Sequence, residues 1–310
     1  MADVTAGGAP AAPRSGAVEL FERHRAELAR SRRAANLLLG LGFLVCLALS
    51  VWVSRFYPDR LAEGVPRIFE YFQTILPSLE WDVLFEPKNA AGKATPGSLA
   101  FWYADFWKYM ALIWETILMA ITATILGTVF AFLLSFPAAQ NFAPARWAFW
   151  ISRRFMEACR GIPEILLALV FVFMVGIGPL AGVIAVAIHS VGALGKLFAE
   201  VNENASGKPV EGIKACGGTW VEQMLYGVVP QVTPNFVSYA LLRFEINVRA
   251  SSIIGFVGAG GIGQELNRVI SFYSDDRVLA VLILVVITVT AIDVLSERLR
   301  LGFIGKENFQ

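Results

Sequence analysis

Histidine and cysteine are scarce in this chain of 310 residues, which holds two of the first and three of the second. His24 and His189, like Cys46, Cys159 and Cys216, are scattered along it, too sparse for a metal centre, a disulfide framework or histidine-based nucleophile chemistry. No G-x-x-x-x-G-K-[ST] phosphate loop is present, so nucleotide chemistry of that kind is not expected in this chain. Charge is thin too: Asp, Glu, Lys and Arg make up 16% of the residues, against about a quarter in a soluble domain. Apolar residues fill that space, 56% of the chain, and mark an integral membrane protein. The net charge of +1 favours no partner, and no nucleic acid is expected.

Uncharged windows run from Ala34 to Ser54, Thr116 to Ala145, Ile165 to Gly195, Gln223 to Leu242 and Val278 to Ile292. A helical span needs about 20 largely apolar residues. The third window holds Gly176, Gly178 and Pro179 near its middle and reads as two helices joined by a tight turn. The expected fold is therefore all-α, a polytopic membrane helical bundle of about six transmembrane helices. Arginine placement agrees, because basic residues in short loops collect on the cytoplasmic side. Arg23, Arg25, Arg30, Arg32 and Arg33 precede the first span, Arg146, Arg153, Arg154 and Arg160 follow the second, and Arg298, Arg300 and Lys306 follow the last. Both termini are thus expected in the cytoplasm.

Residues 1 to 17, rich in Ala, Gly and Pro, read as a disordered tail, and the stretch from Ala34 as a retained anchor: it is long enough to span, and no small-residue cleavage pattern follows near Arg55. The expected organisation is a cytoplasmic segment over 1–33, a first span over 34–54, a periplasmic or interfacial segment over 55–109 with Trp81 and Trp102 suited to the membrane surface, a core over 110–297, and a cytoplasmic tail over 298–310.

Within the core, residues 207–231 break the apolar pattern and predict two short helices around a glycine turn. Pro209 suits a first helical position, Glu211 the first turn where the helix dipole favours an anion, and Gly217-Gly218 the stop. Thr219 and Glu222 have the spacing of a capping box, and Trp220, Met224 and Val228 recur on one face until Pro230 breaks the pattern. Such an apolar stripe can dock into a groove on another protein. An amphipathic hairpin at the membrane surface has the same pattern.

Farther on, Arg243, Glu245, Asn247 and Arg249 crowd the fifth span, where charge is costly and marks function or helix-to-helix pairing. Glu245 and Arg249 can neutralise each other at i,i+4, leaving Arg243 as an uncompensated cation suited to a passing oxyanion. Equally, these charges can pair to lock helix against helix. Next, Gly258, Gly260 and Gly263 form a literal G-x-G-x-x-G, but no strand pattern precedes it, and Asp275 lies too near for a ribose-binding acid. Together with Gly261 these glycines suit a tight re-entrant or helix-packing turn near a gate. Glu164, after Pro163, reads as a first-turn carboxylate, and His189 as an interhelical hydrogen bonder.

The Glu211, Gly217 and Pro230 spacing resembles the cytoplasmic coupling loop of permeases in binding-protein-dependent ABC importers, with departures at Gly212, Ile213, Gly227 and Val229. Arg160-Gly-Ile-Pro-Glu164, Gly176-Ile-Gly-Pro179, Gly195-Lys-Leu-Phe-Ala-Glu200, Tyr226-Gly-Val-Val-Pro-Gln231, Arg243 to Arg249 and Gly255 to Gly263 together look like the phosphonate importer permease family, from about Glu115 to the C-terminus. That resemblance implies a subunit of the bacterial inner membrane that is itself no enzyme. A second copy, two cytoplasmic ATPases, a periplasmic substrate-binding protein and membrane lipid would be its partners. Cofactors, ATP and Mg, would belong to the ATPase. Glu211, Ala215, Gly217, Thr219, Glu222 and Pro230 would couple to the ATPase, and Arg243, Glu245, Asn247 and Arg249 would line a path for phosphonate, phosphite or phosphate by alternating access. An ATPase-independent secondary transporter or channel is the alternative, although no internal repeat is visible.

Overall fold

The computed structural model describes residues 16–86, 95, 97–272 and 276–304; the tail up to residue 15, Asp275 and Lys306 lie outside them. Every regular element among the described residues is helical. The chain falls into two compact units, one up to Tyr71 and one from Phe72 onward. In the first, α1 (Gly16–Ser54) carries its charges early and its membrane-compatible stretch, Ala35–Ser54, late. Arg55, at φ 51°, turns the chain into the amphipathic α2 (Pro58–Ile75), which runs past the boundary into the second unit.

The second unit begins with a short helix capped by Ser98, α3 (Leu99–Trp102), and continues into α4 (Phe106–Ala138). There follow α5 (Arg146–Gly161), α6 (Glu164–Val175), α7 (Pro179–Glu203), α8 (Lys208–Ala215), α9 (Trp220–Glu222), α10 (Val229–Ile254), α11 (Gly261–Phe272) and α12 (Asp276–Ile304). Pro163 separates α5 from α6, because it lacks an N–H and pushes Ile162 out of the helical region, and the two helices meet at 87°.

Among the described residues, four helices are long and apolar enough to cross a bilayer: Ala35–Ser54 within α1, α4, α7 and α12; the bent pair α5–α6 makes a fifth if it counts as one span. The expected six included two others. Helix α6 has 12 residues, roughly 18 Å against a hydrocarbon core of about 30 Å, so it does not span alone. Helix α10 has 26 residues and is long enough, but its charges set it apart from the apolar spans.

The three largest buried clusters lie along α4. Near its start, Tyr109 and Ile113 pack with Ile262, Val269, Val278 and Ile75. Its middle holds Met119 and Ala123 against Ala185, Val186, Ile254 and Ala259. At its end Phe136 meets Phe198, Met224, Val228 and Phe236, with the Phe198 and Phe236 rings stacked at 4.0 Å. Glycines let α7 lie close: an added Cβ on Gly192 would stand 2.5 Å from Met156 O and 2.7 Å from Arg160 N in α5.

Candidate functional site

The 207–231 hairpin forms as its residues dictate. Pro209 sits in the first turn of α8 with Glu211, and the chain reverses at Gly217, whose φ of 83° suits glycine. The capping box is complete: Glu222 N–H donates to Thr219 Oγ1, while Thr219 N–H and its hydroxyl donate to Glu222 Oε2 at 2.6 and 2.8 Å. The Thr219 N–H, and then its hydroxyl, hold the Glu222 carboxyl below the ordinary carboxylate range.

Two expectations change here. Pro230 does not end the second arm. After Glu222 the helix widens into a π-helix over Gln223–Val228 and resumes as α10, with Pro230 in its first turn, where the fixed φ of proline suits a helix. Consequently the hairpin runs without a break into the helix that carries Arg243 and Asn247. The apolar stripe also faces inward: Met224 and Val228 are buried, and Trp220 donates its Nε1–H to Phe142 O at 2.8 Å. That stripe is spent on the chain's own core, and the exposed surface of the hairpin includes Glu211, Ala215, Gly217, Thr219, Val221, Glu222 and Tyr226. One departure from the motif gains a reason, since an added Cβ on Gly227 would stand 2.9 Å from Val210 Cγ2. Gly227 lets the two arms touch. Nothing packs near Gly212, and the structure gives no account of it.

The Arg243 to Arg249 stripe divides between two faces of α10. Arg249 turns to α12 and bonds Glu245 at 2.7 Å and Asp293 at 2.6 Å, in a partly exposed cluster. Arg243 and Asn247, one turn apart, face inward and are 8% and 0% exposed. Arg243 is compensated, contrary to the expectation of a lone cation: its Nη2 lies 2.6 Å from Glu164 Oε1 at the start of α6, and its Nε donates to Ser190 Oγ at 3.0 Å. Sequence reasoning missed this because 79 positions separate the partners. Asn247 Nδ2 donates to Thr124 Oγ1 at 2.8 Å and to Ser190 Oγ at 3.0 Å. His189 bonds Ile162 O through Nδ1 at 3.2 Å, as an interhelical hydrogen bonder would, and its Nε2 lies 3.5 Å from Glu164. One polar network thus ties α4, α6, α7 and α10 together. Thr124 and Ser190 carried no signal in the sequence, being ordinary hydroxyls in apolar runs.

The glycine run makes a turn between α10 and α11, with Gly258, Gly260 and Gly261 at φ 87°, 81° and 71°. Gly263 lies close against Ser252 O, leaving no room for a side chain. Gly178 N–H donates to Gly258 O at 3.0 Å, which fastens this turn to the α6–α7 turn. Side chains of α4 receive the start of α11: Gly261 N–H donates to Glu115 Oε1 and Ile262 N–H to Thr116 Oγ1 at 2.9 Å. Thr116 lies some twenty residues before Phe136, roughly 30 Å along the helix, the thickness of a bilayer core. Hairpin and glycine turn therefore occupy opposite ends of the bundle. Thr124, and with it the Arg243 network, stands between them.

This arrangement of a hairpin continuous with a charged span, a broken span beside it and a glycine turn at the far end can be set beside known proteins. The family model described as binding-protein-dependent transport system inner membrane component matches residues 131–302. The chain belongs to this family. It is a multi-pass membrane subunit of an ATP-driven transporter and not itself an enzyme. A phosphite transport system permease protein of Stutzerimonas stutzeri is 38% identical over 213 residues, covering 69% of this chain and 76% of the relative. A putative phosphite transport system permease protein of the same organism is 33% identical over 270 residues, 87% of this chain and 88% of the relative. Among solved structures, a methionine ABC transporter in inward-facing conformation matches 64% of this permease and 98% of that chain at 22% identity, with a TM-score of 0.55. This likeness concerns the fold.

Proposed function

We propose that this permease carries phosphite, phosphonate or phosphate into the cytoplasm by alternating access, with the oxyanion passing Arg243 and Asn247. The observation that carries the reading is Arg243: a guanidinium almost wholly buried at mid-depth, in a chain whose relatives are named for phosphite transport. Guanidinium geometry suits a two-pronged grip on such an oxyanion. A second permease chain, here taken as another copy, completes the path. Two ATPases, which hold ATP and Mg, dock on the exposed hairpin surface around Glu211, Ala215, Gly217, Thr219 and Glu222, and a periplasmic binding protein delivers substrate near the opposite end. Both termini face the cytoplasm on this reading.

Alternating access follows from the continuity of the chain. A push on α8 reaches Val210, which touches Gly227, and the π-helix passes it into α10. π-Helical turns mark functional sites often enough to make this segment the hinge. Gly258, Gly260, Gly261 and Gly263 form the far-end gate. The test is uptake by the reconstituted permease, ATPase and binding protein, with phosphite, methylphosphonate, phosphate and sulfate in competition. Uptake of a phosphorus oxyanion that depends on ATP supports the reading, and uptake without an ATPase, or of none of the three, refutes it.

A further inference from the structure

The anion held by Arg243 belongs to the protein itself, and its placement is uneven. The guanidinium side chain is 9% exposed and the Glu164 carboxylate 21%. The cation therefore lies behind its partner, and the more accessible side of the pair is the carboxylate. Glu164 also stands at a special point of the backbone. It is the first residue after the break at Ile162-Pro163, at the start of a half-span whose dipole favours negative charge there. His189 steadies that break through Ile162 O and places its other nitrogen 3.5 Å from the same carboxylate oxygen, so Glu164 has a second neighbour on the rim. Arg243 has five N–H donors, and Glu164 and Ser190 account for two of its bonds.

From this geometry we infer that Glu164 is a resident stand-in for the transported oxyanion. It occupies the anion position on Arg243 when the path is empty and leaves toward His189 when substrate arrives. The inference rests on the reading of Arg243 as part of the path. Its consequence is selectivity by exchange: a solute wins the site only by replacing a charged, directly bonded carboxylate, which neutral solutes and weakly bonding anions do not. An empty path is also spared an unpaired buried cation.

Phosphate binding to the purified full-length permease in lipid nanodiscs tests this, with inorganic phosphate as the probe. Two ligands competing for one position should penalise each other on the scale usual for coupled sites, about 5- to 150-fold. Glu164→Gln should therefore bind phosphate tighter than the unaltered protein by a factor in that range. The double variant Glu164→Gln with Arg243→Gln should lose the gain. Glu164→Asp, which keeps the charge, should stay near the unaltered protein. If Glu164→Gln alone is unstable, phosphate should raise its melting temperature, and an absence of rescue overturns the proposal. So does equal phosphate binding in the unaltered protein, Glu164→Gln and the double variant, which would make the pair a helix lock only. Failure of the transport reading would appear elsewhere: the complete transporter would import no phosphorus oxyanion, whatever phosphate does to Glu164→Gln.

Discussion

Asn247→Ala is the perturbation whose size the structure sets best. Asn247 is fully buried and makes three side-chain hydrogen bonds, two from Nδ2 to Thr124 and Ser190 and one accepted by Oδ1 from Ser190 at 3.2 Å. After truncation Thr124 keeps its bond to Ala120 O at 2.6 Å, and Ser190 Oγ still accepts from Arg243 Nε. Only the Ser190 hydroxyl proton loses its acceptor. Interhelical hydrogen bonds between membrane helices average about 0.6 kcal/mol and reach about 1.7. Three of them, with one orphaned donor, give a loss of about 2–3 kcal/mol, roughly 30- to 150-fold in the folding equilibrium. Denaturant titration in mixed micelles, or steric trapping in bicelles, reads that loss directly. Because Ser190 shares two of the bonds, Ser190→Ala and Asn247→Ala should be non-additive by about 0.5–3 kcal/mol. Ser296→Ala, which removes one bond to Leu241 O at 3.3 Å, serves as the single-bond control. An Asn247→Ala loss no larger than that of the control, or strict additivity with Ser190→Ala, would refute the network as a stabilising unit.

Other predictions follow from single positions. Gly217 has nothing packed near it but a φ of 83°, so Gly217→Ala should strain the turn by about 1–2 kcal/mol and lower transport-coupled ATP hydrolysis. Gly217→Asn should be better tolerated, and equal effects of the two would exclude the backbone explanation. Gly192→Val should force α7 from the α5 backbone at a cost of about 1–3 kcal/mol, read as a lowered melting temperature; an unchanged value refutes that close approach. Because Glu222 titrates below the ordinary range, its capping contribution is intact above the ordinary carboxylate pKa and is lost as pH falls through the depressed value. Carboxyl NMR should place that midpoint below the usual one, and Thr219→Ala should move it back up.

Much of the hairpin was legible because its signals are local. Pro209, the Gly217 turn and the Thr219–Glu222 capping box each act within a few residues, and all three form as expected. Its outer surface was not legible. The Trp220, Met224 and Val228 stripe has the same spacing whether it meets a partner or Phe136 and Phe198. Pro230 misled for a related reason: a proline marks a helix start as readily as an end, and the π-helix before it left no trace in the composition.

What the sequence by itself determined is the class of molecule and the position of its unusual residues. An apolar share of 56% in the whole chain, gathered into uncharged windows of span length, points to a helical bundle, since a lone strand or loop leaves backbone polar groups unmet in lipid. Charges within the fifth span likewise declare themselves through their cost. Only the tertiary structure decided which partners meet that cost. Arg243 found Glu164 across the Pro163 break, Arg249 found Asp293 on α12, and Asn247 found Thr124 on α4. These contacts span 79, 44 and 123 positions, and no periodicity or short motif reaches that far; the packing of helices against helices does.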